Sequence, residues 1–148
     1  MNRATRSGLL LLTLAVLLAC VRSGLSVPEA WIRAAAPGGK TTVLYFTLRN
    51  SGEFAETLVA VDTPAAHRVT LHESGEHAGM SGMSGMRPRE RVVVAPGETI
   101  RFLPGGLHVM LEELERDLVP GEKVPVTLHF ASGTSVAVVA TVRPIGAQ

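Results

Sequence analysis

The chain of 148 residues is long enough for one domain with a substantial core, and its hydrophobic fraction of 46% and charged fraction of 18% are typical of a globular protein. The formal net charge is +1, so the charge balance gives no support to binding of nucleic acid or of an acidic substrate. Only four Phe, one Tyr and one Trp are present, which also argues against an aromatic platform for stacking bases.

The N-terminus has the pattern of an export signal. Arg3 and Arg6 precede an apolar run at residues 8–19, which has the length of a signal-peptide core and is short for a membrane span. Cys20, the only cysteine, resembles a bacterial lipoprotein processing site, at which the thiol becomes lipidated. We therefore predict a leader over residues 1–20, membrane attachment through Cys20, and a location in the periplasm or on the outer face of the membrane. Plain export with an incidental cysteine is the alternative.

The rest of the chain predicts short β-strands. After a linker at residues 21–28, a domain over residues 29–144 contains runs that alternate apolar and polar residues or end at Pro, Gly or Asn. Turn sequences such as APGE, within the fourth run, and VPGEK, which leads into the sixth, punctuate the pattern. The runs cover residues 40–52, 57–64, 67–73, 91–106, 107–114, 123–130 and 135–142. This spacing predicts an all-β single domain, an antiparallel sandwich or a Greek-key barrel.

Two of these strands each direct a histidine away from the predicted core. Side chains alternate across a strand, so Val109 should face the core while His108 and Met110 face the other way. The same alternation in VTLHE directs Leu71 inward and His72 outward. An imidazole and a thioether therefore lie side by side on one strand, and a second imidazole lies on another.

A Gly-Ser-rich segment with the sequence AGMSGMSGM follows His72. Gly and Ser disfavour a helix, so we expect a flexible loop that closes over a ligand. Its last methionine, Met86, together with His72, His108 and Met110 forms a candidate ligand set of two imidazoles and two thioethers.

The metal preference of this set follows from the chemistry of its donors. Thioethers are soft ligands that favour Cu(I), whereas imidazole suits several transition metals. Structural zinc sites use thiolates or more histidines, and Ca²⁺ and Mg²⁺ need oxygen ligands. A blue-copper centre needs a cysteine thiolate, and Cys20 is the only cysteine. The residues therefore predict a carrier of Cu(I).

At these positions the chain resembles the PCuAC family of periplasmic copper chaperones. The family motif is His-Met, ten residues, Met, twenty-one residues and His-x-Met, and here twenty-one residues separate Met86 from the HVM sequence that begins at His108. The resemblance extends over residues 29–142. It implies a cupredoxin-like Greek-key β-barrel and one Cu(I) held by His72, Met86, His108 and Met110. It also implies delivery of copper to the dinuclear copper centre of cytochrome c oxidase.

Two departures from the motif concern the methionine-rich segment. Glu73 stands where the motif has Met after the first His, and the segment before Met86 is two residues longer than in the motif. Met80 and Met83 are therefore secondary candidates, either as competitors of Met86 or as an outer entry site, and His77 is a secondary candidate that would assist.

We expect a monomeric carrier without catalytic activity, since the sequence contains no convincing acid/base pair or nucleophile–base spacing. Two alternatives stay open. An exported β-sandwich interaction module would bind no copper, whereas a copper storage protein would hold several ions per chain.

Overall fold

The computed structural model describes residues 24–76 and 84–147. Within these ranges the chain forms ten β-strands and no helix. In chain order the strands are β1 (Leu25–Arg33), β2 (Thr41–Asn50), β3 (Glu56–Asp62), β4 (Ala66–Glu76), β5 (Ser84–Pro88), β6 (Val92–Val94), β7 (Thr99–Phe102), β8 (Leu107–Leu114), β9 (Lys123–Phe130) and β10 (Ser135–Arg143). No helix in the described ranges is long and apolar enough to cross a membrane.

All of these strands belong to one hydrogen-bonded sheet. Nine follow one another in the order β5-β4-β8-β2-β1-β10-β9-β3-β6, and β7 pairs with the part of β2 that β8 leaves free. The β1–β10 pair is parallel and the others are antiparallel. β3 also contacts β4, so the sheet folds back on itself around the core. The prediction of an all-β, single-domain sandwich is confirmed.

The core is filled by alternating aliphatic side chains from strands all around the sheet. Fully buried examples from five strands are Ile32, Leu44, Leu58, Leu111 and Leu128. Phe46 of β2 and Phe102 of β7 stack with their ring centroids 4.1 Å apart. Each buried aliphatic or aromatic side chain contributes about 1.5–3 kcal/mol, so this interior makes a stable frame for the outer face.

Two strands, β1 and β5, are absent from the sequence prediction. β1 begins at Leu25, so residues 25–28, which the sequence assigns to the linker, belong to the first strand. The β1–β2 register shifts between Ser26 and Glu29, and this irregularity interrupts the alternation that a sequence pattern needs. Cys20 and the predicted leader lie outside the described residues.

Candidate metal centre

The candidate ligands lie on three neighbouring strands, β5, β4 and β8, at one edge of the sheet. His72 of β4 is directly opposite His108 of β8, and Thr70 is opposite Met110. Met86 of β5 pairs with β4 two residues beyond His72. Residues opposite each other in antiparallel strands share a face, as do residues two apart along a strand. The two histidines and the two methionines therefore occupy one face.

The other face of the same strands enters the core, as the alternation predicts. Val109 and Leu111 are fully buried, and Leu71 is nearly so. His108 is also buried, with 4% of its surface exposed, although it lies on the outer face. Its ring stacks on that of His72, with centroids 5.8 Å apart and an angle of 24° between the planes. The site is therefore partly enclosed at the two imidazoles.

A backbone carbonyl determines which ring nitrogen of neutral His108 carries the proton. The Nδ1 atom lies 2.8 Å from the carbonyl oxygen of Gly106. A carbonyl oxygen can only accept, so Nδ1 must carry the proton and donate it. In the neutral ring Nε2 then carries no proton, and its lone pair is available to a metal ion.

His72 is held by a side chain from its own strand. Its Nε2 atom is 2.9 Å from the hydroxyl oxygen of Thr70, whereas its Nδ1 atom is buried without a hydrogen-bond partner among the described residues. A buried nitrogen without a partner is costly, and a metal ion bound there would remove that cost.

The surroundings of His72 also favour its neutral form. Burial of the ring lowers the pKa of His72 below its ordinary value, and the charge of His108 lowers it further, while Glu112 acts in the opposite direction. The neutral imidazole is the form that binds a metal, so little proton competition is expected at neutral pH.

The two methionines differ in exposure. Met110 is half-buried between Thr70 of β4 and Val43 of β2, the residues opposite it in the two adjacent strands. Met86 is 60% exposed. One thioether is therefore packed within the sheet face, and the other is free to change its rotamer without disturbing the core.

The prediction of a flexible loop is wrong for the part of the segment that carries Met86. Ser84–Pro88 forms β5, whose ladder with β4 runs from Glu76 opposite Ser84 to His72 opposite Pro88. Main-chain hydrogen bonds hold this ladder, so Gly and Ser side chains do not prevent it. An ion pair between Arg89 and Glu73 lies at its base. His77, Met80 and Met83 lie outside the described residues.

Sequence reasoning missed two groups that hold the imidazoles, Thr70 and the carbonyl of Gly106. Thr70 could have been found, because it precedes His72 by two residues and so shares its face in a strand. The position of the Gly106 carbonyl depends on the turn before β8, in which the N–H of Gly106 donates to the carbonyl of Leu103 at 3.0 Å. A sequence pattern indicates such a turn but not which atom its carbonyl meets.

The donor set selects soft metal ions. In residues 24–76 and 84–147, no group of three or more His, Cys, Asp or Glu side chains is arranged to hold a metal. A site on this face would have to combine the imidazoles with thioethers, and that combination suits Cu(I) better than Zn²⁺ or Ca²⁺.

Comparison with known proteins gives a family for most of the chain. A protein-family model described as "Putative lipoprotein LpqE-like" matches residues 25–142. A relative from Leifsonia xyli subsp. xyli, described as "Putative lipoprotein Lxx21020", is 32% identical over 120 residues, which cover 81% of this chain and 70% of the relative.

Solved structures of PCuAC proteins share the fold. The solution structure of CuI-DR1885 from Deinococcus radiodurans has 33% sequence identity and a TM-score of 0.62, covering 84% of this chain and 83% of that chain. The apo PCuAC domain from PmoF1 has 26% identity and a TM-score of 0.67, covering 82% of this chain and 94% of that domain. The resemblance to PCuAC proteins and the cupredoxin-like sandwich that it implies are both confirmed.

Proposed function

The chain belongs to the LpqE-like family, and from that membership, its PCuAC fold and its His/Met face we propose that it is an extracytoplasmic copper chaperone that binds one Cu(I). The observation that carries the proposal is the register of β5, β4 and β8, which brings two imidazoles and two thioethers to one face. Imidazole with thioether is a donor combination that favours Cu(I).

In this proposal the two histidines form the fixed part of the site. His108 binds the ion through Nε2, because its Nδ1 proton is engaged with Gly106. His72 binds through Nδ1, the buried nitrogen without a partner, while its Nε2–H donates to Thr70. Both rings are oriented before the ion arrives, so little side-chain entropy is lost on binding.

The two methionines complete the ligand set and make it exchangeable. Met110 lies beside the histidines on the sheet face, and the exposed Met86 closes over the ion from β5. Thioether ligands are neutral and bind less tightly than thiolates, so a side chain that is free to rotate can release the ion to an acceptor. This property suits a carrier more than a permanent copper centre.

We further propose that the protein works at the outer face of the membrane, attached through lipidated Cys20, and delivers copper as a monomer to the copper-centre subunit of cytochrome c oxidase. The lipoprotein descriptions of the family and of the Leifsonia relative support membrane attachment. The acceptor follows from the PCuAC resemblance.

Anaerobic titration with Cu(I) in competition with a chelator tests the binding step. We expect one Cu(I) per chain, and X-ray absorption at the copper edge should show both nitrogen and sulfur scatterers. Absence of binding would favour an exported interaction module, and more than one tightly bound ion would favour copper storage. A spectrum with nitrogen and oxygen alone would remove the methionines from the site.

Mixing the copper-loaded protein with the apo copper-centre domain of the oxidase subunit tests delivery separately. We expect the visible absorption of the assembled dinuclear centre to develop as copper leaves the chaperone. If the ion stays on this protein while binding itself is confirmed, the proposed acceptor is wrong and the copper site stands.

A further inference from the structure

The end of the molecule between β2 and β3 is organised by a buried asparagine. Asn50 is 1% exposed, and its side-chain amide donates to the carbonyl oxygens of Phe54 and Val94 at 2.8 and 3.1 Å. Its Oδ1 atom accepts from the backbone N–H of Gly52 at 2.9 Å. These three hydrogen bonds fix the course of the connection at residues 51–55.

This connection is tied to the first described residue, Gly24. The backbone N–H and the hydroxyl of Ser51 both donate to the Gly24 carbonyl, at 2.7 and 2.8 Å. A Cβ atom added to Gly24 would lie 2.1 Å from the backbone nitrogen of Gly52, so the close approach requires glycine. The N-terminal segment therefore joins the domain at a fixed point beside residues 51–55.

The same connection presents Phe54 to solvent, with 79% of its surface exposed. Val93 is also exposed. It precedes Val94, and the Asn50 side-chain amide donates to the carbonyls of both Val94 and Phe54. Isolated exposed apolar residues are common on protein surfaces. Phe54 differs because its backbone is held by a buried amide and lies beside the entry of the N-terminal segment.

The hairpin of β4 and β5 points to this end of the molecule as well. β2 and β4 run in the same direction because both are antiparallel to β8. The register places Leu44, Val109 and Leu71 in one row across these strands. Counting along β2 and β4 from that row, Glu76 lies one residue short of the end of β2, and His72 is about 17 Å short of it.

We propose that this end of the domain rests on the lipid surface and that the Phe54 side chain enters the membrane interface. The inference rests on lipidation of Cys20 within the proposed function. Cys20 and Gly24 are four residues apart, and a connection of that length spans at most about 14 Å. An acylated Cys20 would therefore keep Gly24 within this distance of the bilayer, and residues 51–55 begin beside it.

The short connection favours lipid over a protein as the occupant of this surface. A folded protein partner is wider than about 14 Å, so it would not fit between this surface of the domain and the membrane-inserted acyl chain on Cys20. An aromatic ring held at the level of the headgroups gains from partial burial in the acyl boundary. The His/Met hairpin then faces the membrane side, from which an acceptor embedded in the bilayer would receive the ion.

Fluorescence of a Phe54→Trp variant tests the contact. The full chain, purified from membranes with its acyl group confirmed by intact mass, is reconstituted into phosphatidylcholine vesicles with or without bromine on the acyl chains. The wild-type protein gives the background, since Trp31 is 3% exposed. Val139→Trp is the matched control, because Val139 is 57% exposed on β10 in the middle of the sheet. We expect brominated lipid to quench Phe54→Trp and to leave the control unchanged.

Equal quenching of the two variants, or quenching of neither, would overturn the proposal. A blue shift of Phe54→Trp emission without quenching by brominated lipid would also overturn it and would mean that a second copy of this chain covers the surface. Absence of an acyl group on Cys20 would remove the anchor on which the proposal rests. Cu(I) titration of the same samples separates these results from the chaperone function. A protein that binds one Cu(I) but shows no quenching loses this inference alone.

Discussion

Each histidine of the candidate site is held through one ring nitrogen, which leaves the other for the ion. The Gly106 carbonyl takes the Nδ1 proton of His108, and the Thr70 hydroxyl contacts Nε2 of His72. The first partner belongs to the backbone and cannot be removed by substitution, whereas the second is a side chain. Thr70 is therefore the residue at which the orientation of an imidazole can be tested directly.

We expect Thr70→Val to weaken Cu(I) binding by about 10-fold, because loss of a group that orients a metal-binding histidine typically costs that much affinity. Valine keeps the shape and the strand preference of threonine. Chelator competition measures the effect, and Thr47→Val, a half-buried threonine on β2, is the control. If the two variants bind equally well, the Thr70 hydroxyl does not position His72.

The lowered pKa of His72 predicts how the stability of the metal-free protein depends on pH. An unfolded histidine titrates near pH 6.5, whereas burial keeps folded His72 neutral to a lower pH. Below about pH 6.5 the unfolded state therefore binds more protons than the folded state, and stability falls as the pH falls toward the folded pKa.

Thermal unfolding of the metal-free protein between pH 7.5 and pH 5 should show this loss, and His72→Gln should lose less over the same interval. Glutamine keeps polar atoms at the position without a titrating group. Parallel curves for the two proteins would show that other groups cause the acid dependence.

Among the elements, the β4–β5 hairpin has the greatest effect on the proposed site. Its ladder sets Met86 at a defined position along β4, and the Glu73–Arg89 ion pair lies at its base. A residue in a paired strand has already lost most of its backbone freedom, so little further ordering is needed when its side chain binds an ion.

We therefore expect Met86→Leu to lower Cu(I) affinity more than Met80→Leu or Met83→Leu. Leucine keeps the volume and removes the sulfur, so the comparison tests ligation rather than packing. Competition titrations of the three variants under the same conditions measure it. The assignment of Met86 as the ligand fails if Met83→Leu has the largest effect or if the three losses are equal.

The sequence predicts elements well where one face of a strand is buried. The alternation in β2, β4 and β8 identifies both the strands and the face of the histidines, because burial of one face imposes a period of two. β5 carries too few apolar residues for such a pattern, and its ladder consists of backbone hydrogen bonds with the Glu73–Arg89 ion pair at its base. The stacking of His72 on His108 also depends on the register between strands, which a sequence does not specify locally.

At the scale of the whole molecule, the first and last strands, β1 and β10, pair with each other and so connect the two parts of the sheet. β1 lies between β2 and β10, and Ile32 pairs with Leu44 on one side and Val142 on the other. All three side chains are buried. This junction links strands from opposite ends of the sequence, so it should form late in folding, after long loops have closed.

We expect Ile32→Ala to lower the free energy of unfolding by about 2–5 kcal/mol, the usual cost of removing a large aliphatic side chain from a core. Urea unfolding of the metal-free protein measures it. Val139→Ala on β10 is the control, with an expected change near zero because its side chain is exposed. Similar losses in the two variants would show that the β1–β10 junction does not depend on burial of Ile32.

The exposure of Met86 has a consequence for how the protein ages. Outside the cytoplasm a thioether that is 60% exposed is open to oxidation, and the sulfoxide is polar and offers copper an oxygen in place of a soft sulfur. The fold would survive this change, because Met86 lies outside the core cluster. Oxidative damage would therefore produce folded molecules that hold copper less tightly, and a bound ion would protect the sulfur to which it is attached.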